Sequence, residues 1–157
     1  MLSDTHAKGL KDLPERILED LKRADLIIHA GDYTSRNLLD QLRDLNNFKG
    51  VHGNMDAGEI KRELPDKEIF KIRGFKIGIT HPPEGGSPFG LRKKVQSKLG
   101  GDLNLIIYGH SHKPVNKREG STIYFNPGSA TGAFPARYKT YGVLRIEDEI
   151  EVEIVKI

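Results

Sequence analysis

Short apolar runs alternate along this chain with stretches whose apolar residues recur at helical spacing. Met1-Leu2, Leu26-Ile27-Ile28, Phe48 to Val51, Phe75 to Ile79 and Leu103 to Tyr108 are compact and β-prone. Between them, Leu10, Leu13, Ile17, Leu18 and Leu21 predict a first helix that begins near Pro14. Leu38, Leu39, Leu42 and Leu45 predict a second, with Ser35 at its N-cap and its end near Asn46-Asn47. Residues 67 to 73 and 75 to 80, parted by Arg73-Gly74, read as a hairpin, and a Pro/Gly-rich loop over 82 to 90 leads into a basic helix over about 91 to 99. Beyond Gly109 the period changes to two. Ser121 to Phe125, Tyr141 to Ile146 and Ile150 to Ile157 predict antiparallel strands, with Glu147-Asp148-Glu149 as a turn. The fold class is α/β. Periodicity alone allows two stacked sheets or one mixed sheet with helices on both faces.

Composition narrows the function classes. At 157 residues the chain is expected to form a single domain over 1–157 with a substantial core. There is no cysteine, so neither a disulfide scaffold nor a thiolate metal site is available. No run reaches the length of a membrane span or a signal-peptide core, and a cytoplasmic protein without membrane contact is the expectation. The net charge of +3 favours anionic substrates without demanding nucleic acid.

The chemistry sits in five clusters, each just after an apolar run: Asp4-Thr5-His6, Gly31-Asp32, Gly53-Asn54-Met55-Asp56, His81, and Gly109-His110-Ser111-His112. Ligands in open α/β sheets bind beyond the carboxyl ends of strands, where all five clusters fall. Carboxylate, amide and imidazole donors suit borderline divalent ions such as manganese, iron, cobalt, nickel or zinc. Asp4, His6, Asp32, Asn54, His81, His110 and His112 are too many ligands for one tetrahedral ion but enough for two that share a carboxylate, and Asp32 is the natural bridge. His29 and His52 fit no ligand position and read as structural or supporting histidines, with His52 near enough to Asn54 to touch substrate.

The order D-x-H, G-D, G-N-x-D, H, G-H-x-H resembles the calcineurin-like metallophosphoesterases across nearly the whole chain. Within them, the Asn126-Pro127-Gly128-Ser129 stretch and the chain's length resemble the small phosphodiesterases of the YfcE and MJ0936 type. The resemblance implies a four-layer α/β/β/α sandwich. It implies two divalent ions, manganese first and nickel, zinc, iron, cobalt or magnesium as alternatives. One would be held by Asp4, His6, Asp32 and His112, the other by Asp32, Asn54, His81 and His110. The implied reaction is hydrolysis of a small phosphodiester by a hydroxide held between the two ions, with Asp32, Asn54 and His110 in the catalytic set. Asp56 would orient its neighbours, and Asn126 and Gly128 would shape the loop beside His110 and His112 or simply form a Pro-Gly turn.

Three departures stand out. Relatives often carry His after the third-cluster Asn, where this chain has Met55, which cannot donate a proton. His81 is followed by Pro82-Pro83 where His-Gly is common. Only Met1-Leu2-Ser3 precedes Asp4, where the resemblance implies a strand of about half a dozen residues. The expectation is a truncated first strand, from a start downstream of the true one or with a weakly held first ion, and poor anchoring of Asp4 and His6.

Arg92, Lys93, Lys94, Lys98, Lys113, Lys117 and Arg118 read first as solvated charge, with attraction of phosphate-bearing substrates as the second reading. Phe89 and Phe134 could stack on a base, although core packing is the commoner use. The functional alternatives are a nuclease or cyclic-nucleotide phosphodiesterase, and a non-catalytic scaffold like the retromer subunit Vps29, which uses this fold for protein assembly. Exposed strand edges would allow homo-oligomers.

Overall fold

A computed structural model describes residues 1–82 and 90–157. The predicted loop residues Pro83 to Phe89, with Phe89 as a stacking candidate, lie outside the described residues. A 3-10 turn at Leu10–Asp12 leads into α1 (Glu15–Arg23), β1 (Ile27–His29), α2 (Arg36–Leu45), β2 (Phe48–Gly50) and α3 (Gly58–Glu63). The hairpin β3 (Lys67–Ile72) and β4 (Phe75–Thr80) follows, then α4 (Leu91–Leu99), β5 (Leu105–Tyr108), β6 (Val115–Glu119), β7 (Thr122–Asn126), β8 (Thr140–Ile146) and β9 (Ile150–Lys156).

The period-two pattern resolves into three apolar interfaces. α1, α2 and α3 pack Ile17, Leu21, Leu38, Leu39, Leu42 and Ile60 on Ile27, Tyr141 and Val143. On the opposite face of the same strands, Ile28 and Leu144 meet Ile77, Ile79, Leu105, Ile107 and Phe125 of a second sheet. That sheet's outer face, Ile106, Tyr108 and Tyr124, is covered by Leu91, Val95 and Leu99 of α4. Consecutive residues such as Ile27 and Ile28, or Ile106 and Ile107, thus enter different cores, as a pleated strand buried on both faces requires. Helices, sheet, sheet and helix are the four layers of an α/β/β/α sandwich, not the single mixed sheet that periodicity also allowed.

The second sheet has the order β3-β4-β5-β7-β6, parallel through β4, β5 and β7 and antiparallel at both edges. In the first, β1 and β2 run parallel and β8 and β9 antiparallel. The amino-terminal residues join the two pairs. Leu2 N–H donates to Ile28 O at 2.8 Å and Leu2 O accepts from Ala30 N–H at 2.9 Å, while Met1 O accepts from Gly142 N–H at 2.9 Å. The first strand is a single bridge between Leu2 and His29. No described helix is long and apolar enough to cross a membrane.

Local details follow from local chemistry. Arg73 and Gly74, at φ 48° and 88°, form the tight turn that a twisted two-residue hairpin needs. Ser35 sits at the N-cap of α2 as expected, but its hydroxyl donates to Lys8 O at 3.1 Å instead of capping the helix. Two elements had no sequence signal. α3 is a six-residue helix with one buried residue, Ile60, and β6 is a polar edge strand whose residues are mostly exposed.

Candidate metal centre

All five clusters converge where β1, β2, β4 and β5 end, together with the segment leaving the amino-terminal bridge. Donor atoms of Asp4, His6, Asp32 and His112 lie within 4.8 Å of one another. Beside them, Asn54 Oδ1 lies 3.1 Å from His81 Nε2 and 3.0 Å from His110 Nδ1. Asp32 Oδ2 faces both groups, 3.8 Å from His6 Nε2 and 3.4 Å from His81 Nε2. The seven residues singled out from the sequence are therefore brought together as two adjoining sets that meet at one carboxylate.

The backbone that carries them is unusual. Asp4, His6, Asp32, Thr34, His110 and His112 all have φ between 44° and 82°. A non-glycine residue in this region costs free energy and persists only where surrounding contacts hold it. Here the contacts are specific. Asp4, His6 and Ala7 N–H groups donate to the carbonyls of Gly31, Asp32 and Tyr33 at 3.0, 3.2 and 3.3 Å. Ser129 Oγ donates to Asp4 O at 2.7 Å and Thr131 Oγ1 to Thr5 O at 2.6 Å. The expected poor anchoring of Asp4 and His6 is thus not found. Their loop is held from the residues after β1 and after β7, so a full first strand is not what fixes it.

Each ligand candidate is aimed by a second contact. His81 Nδ1–H donates to Ala30 O at 2.7 Å and His112 Nδ1–H to Ala133 O at 2.9 Å, which turns both Nε2 atoms toward the centre. Ser3 Oγ donates to Asp4 Oδ2 at 2.6 Å, and Asp4 in turn accepts the His110 backbone N–H. Met55 N–H donates to Asp32 Oδ1 at 2.8 Å, leaving Oδ2 to the centre. Asp56 takes the orienting place expected of it: its carboxylate accepts from the backbone N–H groups of Asp32, Thr34 and Gly53 at 3.0, 2.8 and 2.7 Å. Asn126 shapes the last cluster, donating to Gly109 O and Ser111 Oγ while accepting from Gly128 N–H. The loops approach so closely that a Cβ on Gly53 would lie 2.1 Å from Asp32 Oδ1, and one on Gly109 2.1 Å from Ser3 Oγ.

The donor set fits divalent cations. His6 Nε2 is buried and has no hydrogen-bond partner among the described residues, which is costly unless something binds it. Burial raises the Asp4 carboxyl above its ordinary range. Burial also works against the charged forms of Asp32 and His81. The pairing between the two outweighs it, together with the Met55 N–H on Asp32 and the Asp4 charge on His81, so Asp32 is held low and His81 high. His81 Nε2 faces two acceptors, Asn54 Oδ1 and Asp32 Oδ2, an arrangement that favours a proton on this ring nitrogen. Metal uptake at near-neutral pH is therefore expected to release protons and to weaken as pH falls, because protonated His81 competes with the ion. Calorimetry of manganese binding in buffers of different ionisation enthalpy measures the release; affinity independent of pH from 6 to 8 would contradict it.

His29 is the main structural residue here. Gly31 N–H donates to its Nδ1 at 3.2 Å, so the proton sits on Nε2, which donates to Thr5 Oγ1 at 3.1 Å, and Thr5 Oγ1 donates to Asp32 O at 3.3 Å. The ring stacks on Tyr33 at 3.8 Å. It thus ties the first two clusters together, and burial holds its pKa well below the ordinary value. Because an unfolded His29 binds a proton below about pH 6.5 and the folded one does not, its contribution to stability is present above that pH and lost as pH falls. His29→Leu strands the Gly31 and Thr5 partners, at about 1–3 kcal/mol each. For about 2 kcal/mol the expected drop in melting temperature of the metal-free protein is roughly 4–8 °C, most of it restored in His29→Gln; an unchanged transition in His29→Leu would refute this role.

Sequence reading passed over Ser3, Thr5, Ser129 and Thr131, whose contacts span up to 126 positions. The one available signal was a set of small hydroxyl residues flanking ligand positions and the Asn126-Pro127-Gly128 turn. His52 stays outside both donor sets, its Nδ1 3.3 Å from Gly53 O.

Comparison with known proteins agrees with this geometry. The model of the calcineurin-like phosphoesterase superfamily domain matches residues 1–149. A probable metallophosphoesterase of Methanocaldococcus jannaschii is 35% identical over 160 residues, covering 100% of this chain and 80% of its own. The phosphodiesterase MJ0936 of the same organism is 27% identical, covering 99% of this chain and 96% of its own. The crystal structure of wild-type Vps29 from Entamoeba histolytica complexed with zinc superimposes with a TM-score of 0.75 at 27% identity, covering 99% of this chain and 96% of that one. With its five clusters gathered into one centre and its sandwich fold shared, the chain belongs to the calcineurin-like phosphoesterase superfamily.

Proposed function

We propose that this protein is a phosphodiesterase that holds two divalent ions, one among Asp4, His6, Asp32 and His112 and the other among Asp32, Asn54, His81 and His110. The observation that carries the reading is the meeting of both donor sets at Asp32 Oδ2, with the buried His6 Nε2 otherwise unpartnered. Manganese is the first choice that the family resemblance implies, and the mixed oxygen and imidazole donors also suit nickel, zinc, iron or cobalt. Such a pair supplies Lewis acidity, lowering the pKa of a water and neutralising phosphoryl oxygens during in-line displacement.

The chain's own residues set the geometry for that chemistry. Asp32 fixes the shared corner, and Asp56 fixes Asp32 through its backbone N–H. Asn54 contributes a neutral oxygen between two imidazoles, which limits the negative charge that an anionic substrate meets. His110 is held by the Asp4 carboxylate on its backbone N–H, which ties the first and last clusters together. No cysteine is available as nucleophile, and water takes that part.

The test is hydrolysis of bis(p-nitrophenyl) phosphate by chelator-stripped protein resupplied with manganese, nickel, zinc or magnesium. Turnover restored by at least one ion is the expected result; no turnover with any of them, together with no metal uptake, would overturn the reading. The likeness to Vps29 favours a second reading, a protein-assembly scaffold that retains metal, and metal uptake without turnover would favour it.

A further inference from the structure

The basic residues singled out from the sequence separate into two kinds. Arg92 and Lys117 both pair with Glu119, and Lys98 pairs with Asp66 at 3.2 Å, so these charges are answered on the surface. Lys113, like Lys93 and Arg118, is in no ion pair among the described residues, and neither is Arg137, which sequence reading did not single out. Lys113 and Arg137 are set apart by sharing one cavity of about 350 Å³, lined also by His112, Pro114, Pro135 and Tyr138.

That cavity adjoins the metal centre through one ring. His112 forms its wall and presents Nε2 to Asp4 Oδ1, 3.3 Å away. The same ring is held by Ala133 O, four residues before Arg137, so the loop that brings Arg137 is fixed to a candidate ligand. The other walls have a consistent chemistry. Pro114 and Pro135 are rigid and offer no N–H, and among the described residues no acidic side chain lines the space. Tyr138 is 43% exposed, and Lys156 Nζ lies 4.0 Å from its ring centroid, adding a third positive charge and bracing the ring. Two cations without counter-ions, a flat aromatic wall and a volume near the lower end of small-ligand sites describe a receptor for a planar group with negative charge.

We propose that this cleft is a second substrate subsite, taking the arm of a phosphodiester that carries a planar ring and a phosphate of its own, as in nucleoside phosphates. The inference rests on the phosphodiesterase reading for its setting. The scissile group lies at the metal centre, and the charged arm passes His112 to meet Lys113 and Arg137, with its ring against Tyr138. The subsite thereby distinguishes a nucleotide-like diester from one with two neutral arms. A neutral arm leaves both cations without a partner, and a cationic arm is repelled by them.

Two substrates isolate the effect, since both release p-nitrophenolate: thymidine 5′-(p-nitrophenyl phosphate), and the same molecule bearing an additional 3′-phosphate. The expected result is kcat/KM higher by about tenfold or more for the 3′-phosphorylated ester, chiefly through KM, in line with one or two charge-assisted hydrogen bonds. In the double variant Lys113→Ala, Arg137→Ala the ratio should fall to about one. A ratio of one or less in the wild-type protein, or a ratio unchanged in the variant, would overturn the subsite. Binding of thymidine 3′,5′-bisphosphate, followed by calorimetry, supplies a readout free of turnover, with at least about tenfold weaker binding expected in the double variant. Equal binding by both proteins overturns the proposal. Loss of turnover on both esters with every metal, with the binding difference intact, sinks the phosphodiesterase reading while leaving the anion-binding cleft standing.

Discussion

Replacing Asp32 by alanine is expected to lower phosphodiester turnover by at least about a thousandfold, because it removes the one oxygen common to both donor sets and residues acting as a unit fail together. Asp32 Oδ2 is the atom that faces both His6 and His81, so the change does not delete one ion's ligand but the corner of both pockets. Asp32→Asn is the sharper test. It keeps the volume and leaves the Met55 N–H an acceptor, yet replaces the carboxylate that faces both donor sets by a neutral amide. Turnover in this variant should stay within about tenfold of the alanine variant, and metal content should fall below that of the wild-type protein. An Asp32→Asn protein with wild-type turnover and full metal content would refute the bridging role.

The second large effect concerns the leaving group. Met55 occupies the place after Asn54, and its side chain is 60% exposed beside the centre while its backbone holds Asp32. A thioether cannot protonate a departing alkoxide. Rates should therefore depend steeply on leaving-group acidity, with p-nitrophenyl diesters cleaved far faster than alkyl diesters. Met55→His places an imidazole on the same exposed stem and should raise turnover of an alkyl diester by about 10²-fold, the lower end of general acid catalysis, with a smaller gain on aryl esters. If rates prove insensitive to leaving-group pKa while the chemical step limits turnover, some other residue donates the proton. His52 is the nearest candidate in sequence.

Much of this arrangement was legible because strands and chemistry are coupled in the sequence. Asp32, Asn54, His81 and His110 each follow a strand whose apolar residues are obvious, and a strand end has a fixed place in an α/β layer. The hairpin at Arg73-Gly74 and the helices α1, α2 and α4 were likewise written in local pattern. What escaped was set by contacts distant in the chain. Five of the six left-handed backbone conformations at the centre fall on Asp or His, which enter that region more readily than most residues, but local sequence does not dictate them; hydrogen bonds to remote loops hold them. Asp4 and His6 looked poorly supported because only the strand before them could be read. Their anchors, Ser129 and Thr131, lie more than a hundred residues away. Similarly, α3 and β6 are stabilised by position, the one through buried Ile60 and the pairing of Glu63 with Arg36 and Arg43, the other as an exposed edge with little apolar content. The cleft beside His112 was invisible for the same reason, because Lys113 and Arg137 become neighbours only through the loop after β7.

In the proposed function, seven residues make two adjoining metal pockets that share Asp32. Anomalous diffraction from crystals soaked in manganese tests it most directly. Two peaks about 3.5–4 Å apart are expected on either side of Asp32 Oδ2, one beside His6 and His112 and the other beside Asn54, His81 and His110. A single peak, or two peaks that share no ligand, would contradict it.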